Sequence, residues 1–366
     1  MRALHIHAGP RARALLQQEG LQPGLVRTIA AAAGGPKGLI LGPLDRFVFG
    51  QWLAGSQQPI DLVGASIGAW RMATACLNQP VQAFERLERD YIQQHYALPP
   101  GQKRPTALQI STEFGNNLQA FYGGRVQEVL HHPRYRLHIL TSRGRHLLHT
   151  ENGLRTPLGY LGAFVTNAVH RKAMGSWLER VVFSSPQADG TRAELPFGTQ
   201  DYRTRQVLLA PDNFQSALQA SCSIPFVLKS VHNIPGAPPG AYWDGGITDY
   251  HLHLDYRAGK PAEPAGVVLY PHFQRAVVPG WLDKALKWRH RPSAFLDNMV
   301  ILAPNPQWVQ TLPNGKLPDR TDFTRYGQDL PSRVRAWSTS TAASVQLADE
   351  FAAWLERPDM GQVLPL

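Results

Sequence analysis

A serine with glycines two residues before and two after it, Gly64-Ala65-Ser66-Ile67-Gly68, is an arrangement that bares a hydroxyl for attack on an acyl carbon. The glycines relieve crowding where the chain reverses sharply, and the serine oxygen is left exposed at the bend. The same five residues would also suit an ordinary strand-to-helix turn that happens to contain serine. Their surroundings favour the chemical reading. Residues 60–63 (IDLV), which read as a short buried strand, precede the bend, and small residues of helical pattern follow it.

A second glycine-rich turn, Ala33-Gly34-Gly35-Pro36-Lys37-Gly38, follows residues 25–32, which also read as a short buried strand. A phosphate loop of the Walker type needs Ser or Thr after its lysine, and Lys37 is followed by Gly38. A dinucleotide fingerprint wants an acid at the end of the next strand, where this chain has Ser66. The remaining functional reading is an oxyanion hole. The N–H groups of Gly34 and Gly35 would face the oxygen of a tetrahedral intermediate, where one donor is worth about 3 kcal/mol. Pro36 has no N–H, but it holds Gly35 extended and suits the first position of a helix. The plain alternative is a structural turn.

The third cluster is Tyr242-Trp243-Asp244-Gly245-Gly246. An aspartate before two glycines is common in turns, because Asp caps its own backbone and Gly accepts positive φ. Its apolar flank is compatible with a raised pKa, which a carboxylate base requires. It lies shortly after Ala220-Ser221-Cys222-Ser223-Ile224-Pro225-Phe226.

Taken in order, these four blocks resemble the patatin-like phospholipase family. That family has a glycine-rich loop ending in a basic residue and glycine, a G-x-S-x-G elbow, an A-S-x-S-I-P-like block, and D-G-[GA]. The similarity covers roughly residues 28–250. It implies a Ser66–Asp244 dyad without a catalytic histidine, with an oxyanion hole from Gly34 and Gly35. Lys37 would support the loop electrostatically, and Gly38, Gly64, Gly68, Gly245 and Gly246 would complete the motifs. It implies hydrolysis of lipid esters through an acyl-serine, with phospholipid, lysophospholipid or neutral glyceride as substrate and neither metal nor organic cofactor. One departure is Ala33, where the family often has a first glycine, which leaves the loop backbone less free.

These groups need elements to hold them. Two strand–turn–helix units in succession, at 25–53 and 60–77, indicate a parallel sheet with helices packed on it. Val81, Phe84, Leu87 and Tyr91 recur at helical spacing. The stretch 135–149 alternates and reads as strands joined by a turn at Arg143-Gly144. Further strands are expected at 206–210, 266–270 and 299–303, a long surface loop at 305–325, and a terminal helix at 341–356. The expected architecture is three-layer α/β/α with a central, mostly parallel sheet, as one domain over 1–366. Its motif-bearing part is about 25–270, and 271–366 is an extension packed on it.

Bulk properties bound the rest. The chain has 366 residues, 43% hydrophobic and 17% charged, which suits a globular protein with a sizeable core. No apolar run approaches the roughly 20 residues that span a bilayer, and the N-terminus lacks an apolar stretch of signal-peptide length. The expectation is a cytoplasmic protein. Its two cysteines, Cys76 and Cys222, fall in segments expected to be buried, and no disulfide framework is indicated. A net charge of +10 suits nucleic acid, an anionic membrane or an anionic small substrate. No nucleic-acid-binding motif accompanies it, so nucleic acid is not expected.

Three signals remain open. Read as a strand, 249–255 would put Asp249, His251, His253 and Asp255 on one face, a pattern for a metal or simply for a solvated surface. Asp244 followed by His251 or His272 also satisfies the chain order of a Ser…Asp…His triad, the ordinary esterase alternative. Residues 281–291 would place Trp281, Leu282, Ala285, Leu286 and Trp288 on one helical face beside Lys284, Lys287 and Arg291. Such a helix either docks on the core, which Arg289 within the apolar arc favours, or touches an anionic membrane peripherally. A non-enzymatic lipid-binding module is the third functional class.

Overall fold

The computed structural model describes residues 1–98, 100–102, 104–258 and 266–366. Among them, eleven strands form one sheet: β1 (Leu4–Ala8), β2 (Val26–Ala31), β3 (Ile60–Ala65), β4 (Tyr135–Gly144), β5 (Leu178–Ser184), β6 (Thr204–Leu208), β7 (Val231–His232), β8 (Ala241–Asp244), β9 (Val267–Pro271), β10 (Met299–Pro304) and β11 (Val363–Pro365). Their order is β11-β1-β10-β9-β2-β3-β4-β5-β6, with β8 on β4 and β7 on β8. Pairing is mostly parallel, and helices flank the sheet in an α/β/α arrangement. Every residue of β3 and β9 is buried, as expected of central parallel strands covered on both faces. Asp61 inside β3 is tolerated because Arg136 meets it with two hydrogen bonds and His138 with a third.

The helix expected at 38–53 starts earlier and is irregular: a 3₁₀ turn over Gly35–Leu41, an α-helix over Gly42–Phe47 and a π turn over Val48–Trp52. The helix after Ser66 runs Ile67–Ala75, and the amphipathic one Pro80–Gln93 buries Ala83, Phe84, Leu87 and Ile92. The hairpin expected at Arg143-Gly144 is absent. β4 runs unbroken to Gly144, and its antiparallel partner is β5, from a distant part of the chain. Alternation revealed the strand but not the partner, because Arg143 pairs with Glu179 rather than turning.

The tail is more involved than expected. Residues after 271 add β10 and β11 to the same sheet. The stretch 305–325 is not a plain loop but carries short helices at Pro306–Val309 and Thr321–Tyr326. The terminal helix expected at 341–356 runs Val345–Glu356, and a second helix, Leu330–Ala343, precedes it unforeseen. No helix among the described residues is long and apolar enough to cross a membrane.

Candidate active site

β4 is the ruler that assembles the site. Its first half pairs with β3, and the last pair is Ala65 with Leu140. Its second half pairs with β8 on an antiparallel course, and the last pair is Thr141 with Asp244. Two strands from opposite directions thus end at adjacent rungs of one strand. Ser66, the next residue after β3, meets the end of β8. Its Oγ donates to Asp244 Oδ2 at 2.7 Å.

The bend at Ser66 is strained, with φ 56° and ψ −131°, a conformation that costs a non-glycine residue about 1–3 kcal/mol. Contacts that a side chain would break hold it. A Cβ on Gly68 would lie 1.9 Å from the Ala31 carbonyl oxygen, and one on Gly64 would meet the Ala69 backbone at 2.5 Å. The Ser66 N–H donates to Ser221 Oγ at 3.0 Å, and the Ser221 hydroxyl donates to the Leu140 carbonyl at 2.6 Å. Ser221 therefore ties the elbow to β4. The following helix points its positive end at the site.

Asp244 is tied as firmly. Its N–H donates to the Ser223 carbonyl and that of Gly245 to the Ser221 carbonyl. The Gly246 N–H donates to Asp244 Oδ1 at 2.7 Å, so the two carboxylate oxygens have separate partners. Gly245 passes so near Leu140 that a Cβ would lie 2.1 Å from its oxygen. Burial pushes the Asp244 carboxyl up. The Ser66 hydroxyl, Arg320, the Gly246 N–H and Lys284 oppose that shift.

Gly34, half-buried, packs so closely on Phe273 that a Cβ would reach 2.5 Å from the ring. Gly35 is buried at φ 57°, in the left-handed region rather than extended as its place before Pro36 suggested, with Arg320 over it. Among the described residues, neither N–H is given to a protein acceptor, which leaves both donors for a bound oxygen. Ala33, the departure from the family pattern, is fixed by its N–H donating to the Tyr250 carbonyl at 3.0 Å. Gly38 packs on Ile67 and Arg71, and Lys37 places its ammonium 5.2 Å from the centre of the Phe273 ring.

Some of these groups line a cavity of about 170 Å³, while Ser66, Gly35 and Gly38 lie behind its wall. Asp244, Gly246, Gly34 and Ala33 line it, together with Lys37, Ile224, Tyr250, Trp281, Lys284 and Arg320. Ser66, only 3% exposed, lies one hydrogen bond beyond Asp244. Sequence reasoning gave Trp281, Lys284 and Arg320 no place in this site. Lys284 stood out only as part of a basic cluster, and Arg320 carried no local signal.

The open signals resolve structurally. Residues 249–255 are not a strand: Asp249 ends the short helix Gly246–Asp249 and is buried against Arg180 through bonds of 2.8 and 2.6 Å. His253 bonds Ser293 and Asp255 pairs with Arg257, so the four side chains share no face. Among the described residues, no group of three or more His, Cys, Asp or Glu is placed to hold a metal ion. Neither His251 nor His272 hydrogen-bonds Ser66 or Asp244. His251 Nδ1 takes the Val278 N–H, and burial pushes His272 down to about 3. The 281–291 helix is broken into 3₁₀ turns at Trp281–Asp283 and Lys287–His290. Both cysteines are buried and unpaired. No protein-family model matches the chain, and no curated protein matches it in sequence.

Proposed function

We propose that this protein is a serine carboxylic ester hydrolase of the patatin-like phospholipase type, acting on lipid esters without a metal or organic cofactor. The observation that carries the reading is the 2.7 Å hydrogen bond from Ser66 Oγ to the buried Asp244 carboxylate at a strained elbow. Asp244 takes the hydroxyl proton as Oγ bonds the ester carbon, and Gly34 and Gly35 hold the oxyanion. Collapse of the tetrahedral species breaks the bond to the leaving alcohol, which receives the proton from Asp244. Water, deprotonated by Asp244, then releases the acyl group as a carboxylic acid and regenerates Ser66. No histidine is required as intermediary, because the carboxylate bonds the hydroxyl directly.

A lipid substrate is supported by an apolar surface beside the cavity. On the helix Arg155–Val169, Leu158, Leu161, Val165 and Val169 are exposed along one stripe that continues from Leu154. Phe226, 61% exposed, stacks edge-on against Tyr160 of that helix and follows directly on Ile224 and Pro225 of the cavity wall. We assign the protein to the cytoplasm, peripheral to a membrane. The test is labelling with a fluorophosphonate probe, with hydrolysis of short- and long-chain p-nitrophenyl esters alongside. Wild type is expected to label and turn over, Ser66→Ala to do neither, and Asp244→Asn to lose at least 1000-fold in turnover, on the order of 4 kcal/mol. A folded wild type inert in both assays would overturn the reading.

A further inference from the structure

The cavity that Asp244 lines also carries three cations, and the acids beside them in sequence are engaged elsewhere. Asp283 precedes Lys284, yet it is fully buried and its oxygens take Asn167, Arg171 and Arg289. Asp319 and Asp322 flank Arg320, but Lys316 bonds both, and Asp322 also takes the Trp337 indole N–H. Among the described residues, Lys37, Lys284 and Arg320 make no ion pair. Lys284 holds its ammonium 4.0 Å from the centre of the Tyr250 ring, and Arg320 lies over Gly35. Lys37 is half-buried, while Lys284 and Arg320 are exposed, so the charge sits toward the mouth with Asp244 below.

Three cations facing one cavity repel each other. Although Lys284 is exposed as a residue, its ammonium over the Tyr250 ring is partly withdrawn from water; that desolvation lowers it to about 8, and Arg320 and Lys37 add to the shift. An anion entering the cavity relieves that repulsion. We infer that Lys37, Lys284 and Arg320 form an anion subsite for a phosphomonoester, making the preferred substrate an acyl ester of a phosphorylated alcohol. This rests on the ester-hydrolase reading and narrows it. A phosphomonoester presents up to two charges and three acceptor oxygens, a match for three cationic donors. A choline-capped phosphodiester would bring a quaternary ammonium among them, and Asp319, the other acid on the wall, is already held by Lys316. A neutral glyceride would leave all three cations unpaired.

Two measurements on the full chain test this. Inorganic phosphate titrated into the protein by calorimetry is expected to bind at one site, at least tenfold more weakly in Lys284→Gln and Arg320→Gln, with Lys284→Arg retaining affinity. Specificity is read as kcat/KM for a short-chain acyl glycerol phosphate relative to the acyl glycerol, the acyl glycerophosphocholine and a hemisuccinate ester of equal length. The phosphate ester is expected to lead by tenfold or more, through KM, with the lead collapsing in both Gln variants. Equal use of the hemisuccinate would overturn the phosphate assignment. Phosphate binding unchanged in both Gln variants would overturn the subsite. So would an equal loss on charged and neutral esters with the acid limb of the pH profile moved upward, since the cations would then act only on Asp244. Should Ser66 neither label nor turn over, the hydrolase reading fails separately, and phosphate titration still decides the subsite.

Discussion

Asp244 is a carboxylate placed where a carboxylate is unfavourable, and that is what suits it to the base role proposed for it. Burial raises its pKa, so over the range from the ordinary carboxylate value up to the raised one the folded state binds more protons than the unfolded state. Stability from this group is therefore fully present below the ordinary value and lost as pH rises through the folded one. Asn in its place can still accept from the Gly246 N–H with its oxygen and face Ser66 Oγ with its amide, while carrying no charge. Asp244→Asn is expected to be more stable than wild type at pH 7, by on the order of 1 kcal/mol. The gap should close as pH falls toward ordinary carboxylate values. Thermal melts across pH measure it directly. A variant less stable than wild type at pH 7 would mean that the charge is compensated in place. The same burial predicts turnover that rises with pH through the raised Asp244 value, as the base form appears.

At the scale of elements, the site exists because β3 and β8 end on neighbouring rungs of β4, and Ser221 bridges the join. Ser221 bonds the Ser66 backbone and the Leu140 carbonyl rather than the Ser66 hydroxyl, so in the proposed reaction it is a positioning residue. Ser221→Ala leaves the Ser66 N–H without its buried acceptor, at a cost of about 1–3 kcal/mol in stability. It is expected to lower kcat about tenfold with little change in KM, and Ser221→Thr should recover much of the loss. A variant that melts earlier yet keeps full kcat would reduce Ser221 to a structural role. The elbow and the aspartate were legible in the sequence because each sits in a turn whose glycines show in the local pattern, although what forbids a side chain there is a distant carbonyl, that of Ala31 for Gly68 and of Leu140 for Gly245. The parallel units around β2 and β3 were legible because buried runs alternate with helical ones. What stayed hidden depends on distant partners. Residues 281–291 have a helical apolar pattern, but Asp283 and Arg289 are drawn into a buried network with Asn167 and Arg171, and the helix breaks. The 305–325 composition reads as loop, while its tertiary course carries Arg320 to the cavity wall.

At the scale of the molecule, a cavity of about 170 Å³ and a nearly covered serine must be reconciled with the lipid substrate proposed for it. The exposed stripe of Leu158, Leu161, Val165 and Val169 supplies a meeting surface that the tryptophan-bearing 281–291 segment, broken and partly drawn into the cavity wall, does not. The helix has no acidic residue; Arg155 opens it and Lys172 lies just past its end. With a net charge of +10, approach to an anionic bilayer would be attractive, and in the peripheral contact proposed above the stripe would sink into the boundary between head groups and chains. Attraction of this kind is screened by salt, whereas burial of four apolar side chains, worth about 1.5 kcal/mol or more each, is not. Wild type is expected to co-sediment with anionic vesicles at low salt and to keep part of that binding at 0.5 M salt. Leu158→Asp with Val165→Asp should lose most of the salt-resistant fraction, labelling at Ser66 serving as the check on fold. Unchanged binding in the double variant would remove the stripe from the membrane contact. A wild-type dimer that the variant converts to monomer would instead make the face a joint between two copies.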